Sequence, residues 1–127
     1  KKVPNIIGIT NVIETSKPES VEKDLEDLLK DYLSLKEVNL KNIIDFHVRF
    51  ERIHPLSDGN GRIGRIIMFK ECLKNNIIPF IILDSEKAYY MRGLKEYNKD
   101  RKYLIDTILH FQDIYEDLSN QLLDYKI

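Results

Sequence analysis

The sequence predicts a mainly helical fold, a bundle of amphipathic helices with one small β-hairpin near the N-terminus. Three observations point there. Apolar residues recur at three- and four-residue intervals over most of the chain after Pro18, which is the period of a helix face. Strand-forming residues mixed with turn residues mark Val3–Ile13. A glycine-rich segment between Ile53 and Ile63 separates two helical runs and carries the densest cluster of reactive side chains.

In chain order, Ile6, Ile7, Ile9, Val12 and Ile13 supply β-propensity, and Gly8 and Asn11 supply turn chemistry, for an extended hairpin over Val3–Ile13. After Pro18, the residues Val21, Leu25, Leu28, Leu29, Tyr32 and Leu33 lie on one side of an amphipathic helix, opposite a strongly charged face. The next helix, Asn39 to Ile53, uses Leu40, Ile43, Ile44, His47, Phe50 and Ile53. Pro55 stops it, because the residue before a proline is pushed out of the α region. A third helix runs from Arg62 to Lys74, apolar nearly all round through Ile63, Ile66, Ile67, Met68, Phe69 and Leu73, and is expected to be central. Ile77–Leu83 is interrupted by Pro79 and lacks alternation, so it reads as an extended packing segment and not a paired strand. A helix capped by Asp84 or Ser85 is expected to run to about Asn98. The last starts at Asp100, with Tyr103, Leu104, Ile108, Phe111, Ile114, Tyr115, Leu118 and Leu122 inward.

Composition narrows the functional classes. At 127 residues the chain suits one domain that buries roughly two-thirds of its unfolded surface. With 43% hydrophobic and 32% charged residues it has the balance of a globular domain. No apolar run approaches the ~20 residues of a membrane span, so no membrane partner is expected. A formal net charge of −1 provides no general attraction to nucleic acid, and direct nucleic-acid binding is not expected. The single cysteine, Cys72, cannot form an internal disulfide and reads as a small buried apolar residue in a reducing, cytoplasmic setting.

The chemistry concentrates in His54-Pro55-Leu56-Ser57-Asp58-Gly59-Asn60-Gly61-Arg62-Ile63-Gly64-Arg65. Gly59 and Gly61 let the backbone turn with exposed N–H groups, and the loop feeds a helix start, where unpaired N–H groups and the positive dipole end favour anions. Arg62 and Arg65, three apart, share one helix face and can fork onto phosphate oxygens. His54 is the candidate general base for a hydroxyl proton. Asp58 is a hard oxygen ligand of the kind that holds Mg²⁺ together with substrate phosphates. The backbone N–H groups of Gly59 to Arg62, with the Asn60 amide, can stabilise charge on a phosphate under attack. Other motifs fail. An EF-hand beginning at Asp58 would need Gly where Ile63 stands and an acid where Phe69 stands, and a Walker loop would need Lys where Arg62 follows Gly61. A solvated glycine-rich turn would leave the His and both arginines unexplained.

This segment resembles the signature of Fic domains, H-P-F-x-D/E-G-N-G-R-x-x-R, and His47-Val48-Arg49-Phe50-Glu51-Arg52-Ile53 is similar to the run that leads into that signature. Leu56 departs from the usual Phe; were that side chain a buried anchor, Leu would fill most of the space with poorer fit. Pro79 and Tyr90-Met91-Arg92-Gly93-Leu94 through Asn98 also look like the family's nucleotide-side helix. The resemblance implies a single Fic domain over residues 1–127, part of a longer protein, that transfers AMP from ATP to a Ser, Thr or Tyr hydroxyl of a target protein and releases pyrophosphate. It implies His54 as base, Asp58 on Mg²⁺, Asn60, Arg62 and Arg65 on phosphates, and Tyr90 and Asn98 near the adenine. It further implies that the hairpin is a flap docking the target near residues 3–10 by backbone pairing. Related members phosphorylate targets, as Doc-type enzymes do, or remove AMP, and a non-catalytic nucleotide-responsive module is a third class.

Many members carry an inhibitory helix, S/T-x-x-x-E-G/N, whose Glu pairs with the second motif arginine. Thr10 to Glu14 comes closest, but Thr15 stands where Gly or Asn is needed. An inhibitory segment is therefore expected before Lys1 or on a separate, antitoxin-like protein. His47 and His54 would lie ~10 Å apart along a straight helix and cannot share a metal. His47 and His110 are both expected to be partly buried packing residues. The charge runs around Glu22–Asp31 and Lys99–Lys102 are expected to be solvated helix faces.

Overall fold

The computed structural model describes residues 15–56 and 58–126, with the side chains of 125 and 126 left aside. The expected hairpin, and the flap read into it, lie outside these residues. The described chain is α1 (Val21–Leu33), α2 (Leu40–Ile53), α3 (Asn60–Lys74), α4 (Lys87–Glu96) and α5 (Arg101–Lys126), with short 3-10 turns at Pro18–Ser20 and Asp84–Glu86 and no strand among the described residues.

Local signals place the ends. Asn39 caps α2 by accepting from the Asn42 N–H at 2.9 Å, while the Asn42 side chain accepts from the Asn39 N–H at 2.9 Å, so two otherwise orphaned donors are satisfied reciprocally. At the head of α5, Asp100 Oδ1 accepts from the Tyr103 N–H. The helix expected from Asp84 or Ser85 instead opens with the 3-10 turn and becomes α-helical at Lys87, with no side-chain cap at either junction; it ends at Glu96, before Asn98. The segment 77–83 forms neither helix nor strand among the described residues, in keeping with its Pro79 and lack of alternation.

The central helix is α2, which corrects the expectation placed on α3. Ile43, Ile44 and Val48 of α2 pack with Met68, Cys72, Phe80, Tyr90, Leu94, Leu104, Ile108 and Phe111 in the larger core. Its other side, Phe46, Phe50 and Ile53, packs with Leu28 of α1 in a second core. α3 is apolar all round because two sets of surfaces use it unequally. Gly64, Met68 and Cys72 face the interior, while Ile66 and Leu73 are more than half exposed. α4 and α5 pack closely at Gly93, where an added Cβ would stand 2.8 Å from Leu104 Cδ1 and 3.0 Å from its Cα. The inward face of α5 ends early. Leu104, Ile108 and Phe111 are buried, but Leu118 and Leu122 are exposed, contrary to expectation, because the helix outruns the described elements it packs on.

Polar ties fix the helices around the loop between α2 and α3. Tyr32 of α1 donates to Glu71 of α3 at 2.8 Å, Arg49 of α2 meets Asp31 of α1 at 3.0 Å, and Gln112 of α5 donates to the Ile78 carbonyl at 2.6 Å. Cys72 is fully buried and burial pushes its thiol up to about 11, so it is an inert packing residue. His110 is exposed and meets Glu86 at 3.2 Å, so it is not the packing residue the spacing suggested. α5 turns it outward, one position before Phe111.

Candidate functional site

Two left-handed residues shape the described part of the loop. His54 ends α2 at φ 51°, ψ 58°, its N–H still donating to the Phe50 carbonyl at 3.0 Å. Proline at 55 bars the α region, and the chain takes the left-handed well, which costs a non-glycine residue of order 1–3 kcal/mol and is held by the surrounding packing. Gly59, at φ 77°, makes the second reversal without a Cβ penalty and becomes the N-cap of α3. The new helix therefore begins two residues earlier than the periodicity indicated, at Asn60, and its first amides face the loop.

Asn60 is tied to the backbone of the loop it follows. It is buried, its Oδ1 accepts from the Leu56 N–H at 2.8 Å, and its Nδ2 donates to the Leu56 carbonyl at 2.7 Å. The side chain thus closes the loop on itself, which gives Asn60 a positioning part while it still lines the cavity. Leu56 is held through its backbone while its side chain is 42% exposed. That removes the need for a large anchoring ring there.

These residues surround a cavity of about 560 Å³ lined by Glu51, His54, Asp58, Gly59, Asn60, Gly61, Arg62, Arg65, Lys87, Tyr90, Met91 and Leu94. The sequence-derived site residues His54, Asp58, Gly59, Asn60, Gly61, Arg62, Arg65 and Tyr90 are all brought together here. Asn98 is not among the lining residues. Its Oδ1 accepts from Arg52 at 2.8 Å, tying the end of α4 to α2. Asp58 is exposed at the mouth, with Oδ1 accepting from the Gly59 N–H at 2.8 Å. The donor set fits a hard cation held by one mouth carboxylate, substrate oxygens and water, because the only other acid in the lining, Glu51, is buried at its base.

Arg65 folds back along α3, and a Cβ at Gly61 would stand 3.0 Å from its Nη1. Tyr90 is buried and its hydroxyl meets His47 Nε2. Burial, then the Glu51 charge, raises that hydroxyl above the ordinary range, with Arg65 opposing. Burial lowers His47 to about 4, so its ring is neutral near pH 7 and supports Tyr90 by a hydrogen bond.

Sequence reasoning missed Glu51 and Lys87. Glu51 had a readable signal: it lies three residues before His54 and one turn after His47, on the inward side of an amphipathic helix. Lys87 had none, since α4 brings it to the cavity only through tertiary packing.

Comparison with known proteins bears on the family. The Fic/DOC family model matches residues 10–72, which include the whole loop and both arginines but stop short of Tyr90 and Asn98. A probable protein adenylyltransferase of Aquifex aeolicus (strain VF5) is 29% identical over 86 residues, covering 68% of this chain and 26% of that protein. The protein adenylyltransferase Fic of Nematostella vectensis is 31% identical over 85 residues, covering 64% of this chain and 20% of its own length. The chain spans about a quarter or less of the length of these relatives. The loop sequence, the helix-start geometry behind it and the family match agree: this chain belongs to the Fic/DOC family.

Proposed function

We propose that this domain is a protein adenylyltransferase, moving AMP from ATP to a hydroxyl of a target protein. The observation that carries the reading is the single cavity joining His54, Asp58, the first amides of α3 and the guanidiniums of Arg62 and Arg65. The α-phosphate sits against the Gly59–Arg62 amides, where the helix start offers donors to developing negative charge. Arg62 and Arg65 hold the outer phosphates and neutralise the leaving pyrophosphate. The target hydroxyl oxygen bonds to the α-phosphorus as the bond from that phosphorus to the oxygen bridging to the β-phosphate breaks, and His54 takes the hydroxyl proton. Mg²⁺, held at Asp58, supplies charge neutralisation on the phosphates when bound. Asn60 contributes by keeping the loop closed.

The two relatives are named adenylyltransferases, which favours AMP transfer over the phosphate transfer of Doc-type members. Delivery of the target along residues 3–10, and inhibition by a segment or protein beyond this chain, belong to the same proposal. Incubation with α-labelled and γ-labelled ATP decides the reaction. Label in protein from the α position alone supports AMP transfer, label from the γ position indicates a kinase, and none from either indicates a nucleotide-responsive module.

A further inference from the structure

The base of the cavity holds an acid that the proposed reaction does not use. Glu51 has a side chain only 7% exposed, its Oε1 has no hydrogen-bond partner among the described residues, and yet it lines the same hollow as Arg62 and Arg65. It cannot swing away across α3. A Cβ at Gly64 would stand 2.3 Å from Glu51 Oε1, so the carboxyl is pressed against the α3 backbone at a position that admits only glycine comfortably. The charged and titratable groups facing it come from every neighbouring element. They are His47 of its own helix, with Nε2 4.0 Å away, Arg65 and Arg62 of α3, Tyr90 and Lys87 of α4, and His54 and Asp58 of the loop.

A carboxylate so placed opposes any polyanion drawn in by the arginines, and a carboxylic acid does not. We propose that Glu51 is a protonation-coupled element of the anion cavity, partly ionised when the cavity is empty and protonated when a nucleoside triphosphate is seated, so that binding takes up a proton. The inference rests on the nucleotide reading above. Burial raises the Glu51 carboxyl to about 7, against the pull of Arg65. Both forms are therefore populated near neutral pH, and a nearby polyanion, which also draws Arg65 toward itself, shifts the balance to the acid. By linkage, affinity must fall as pH rises through this range.

Calorimetric titration with Mg²⁺ and a non-hydrolysable ATP analogue, run at pH 7.5 in buffers of different ionisation enthalpy, reads the proton directly. Wild type is expected to take up about half a proton more per nucleotide than Glu51→Gln, and to lose several-fold more affinity between pH 6.5 and 8.5. Binding with equal proton uptake and equal pH slope in the two proteins overturns this inference alone. No binding by wild type overturns it together with the nucleotide reading. Carbon NMR titration of the Glu51 carboxyl in wild type, with and without the analogue, tests the same point without a substitution. An upward shift of its midpoint on binding is the supporting result, and an unchanged midpoint is the contradicting one.

Discussion

Two hollows flank α3, share Arg62 and Arg65, and otherwise have opposite chemistry. One is the loop cavity with His54, Asp58, Glu51 and the first amides of the helix. The other, about 730 Å³, is lined by Ile66, Met68, Phe69, Leu73, Phe80, Ile81 and Ile82, with Lys70 and Lys74 at its edge. The apolar groove is the larger, and by size alone it would be the ligand site. It lacks a helix start, a turn with outward amides and a titratable group able to accept a proton. The proposed transfer uses all three, so volume is a poor guide here and the proposal rests on the loop cavity.

The sharpest way to break this contrast is His54→Ala. Transfer should fall by about 10²–10⁴-fold, the usual worth of a general base, while analogue affinity stays within a few-fold, because a base acts on a proton and not on ground-state binding. Radiolabel transfer and calorimetry on the same preparations check both halves.

The next effect is on stability and its pH dependence. The folded Glu51 carboxyl titrates above its unfolded value of 4.5, at about 7. The folded state therefore binds the proton more tightly, and the stability this gives, full below 4.5, is lost as pH rises through 7. Glu51→Gln keeps the shape without the charge. It should match wild type near pH 4.5 and exceed it by about 3 kcal/mol at pH 8, since each tenfold difference in proton affinity is worth roughly 1.4 kcal/mol. Denaturant melts at the two pH values measure the difference.

Asn60→Ala removes both bonds to the Leu56 backbone from a buried position. It should cost about 2 kcal/mol, within the range for buried groups left unsatisfied, and should lower transfer through the loosened loop. The groove gives the smallest effect. Leu73→Ser, at a residue 56% exposed, should change stability by no more than about 0.5 kcal/mol and leave transfer intact. A large loss of transfer in this variant would place function in the groove.

How much is legible in the sequence depends on whether a feature is local. Helices α1 and α2, the break at Pro55 and the Gly59 turn follow from spacing, proline sterics and backbone freedom within a few residues, and all are found in the structure, but the apolar face expected of α1 is narrower, with Leu29 and Leu33 exposed. The rank of α3 does not, because a helix apolar on every side looks central until its neighbours are known. Here 77–83 covers only part of it, and Ile66 and Leu73 stay exposed. Asn60 escapes local reading for a related reason. An amide beside a phosphate loop can bind ligand or backbone, and only the left-handed turn at His54 brings Leu56 within its reach. His47, a packing residue by its spacing, is buried on Tyr90, a partner 43 positions away that no local pattern announces.

The claim that the first amides of α3, and not the apolar groove, receive the phosphates has one direct measurement. Amide chemical shifts of the isotopically labelled protein can be followed as Mg²⁺ and a non-hydrolysable ATP analogue are added. The account expects the largest shifts at Gly59, Asn60, Gly61 and Arg62, with Ile81 and Ile82 unmoved. Shifts concentrated at Ile81, Ile82 and Leu73, with the loop amides unchanged, would contradict it.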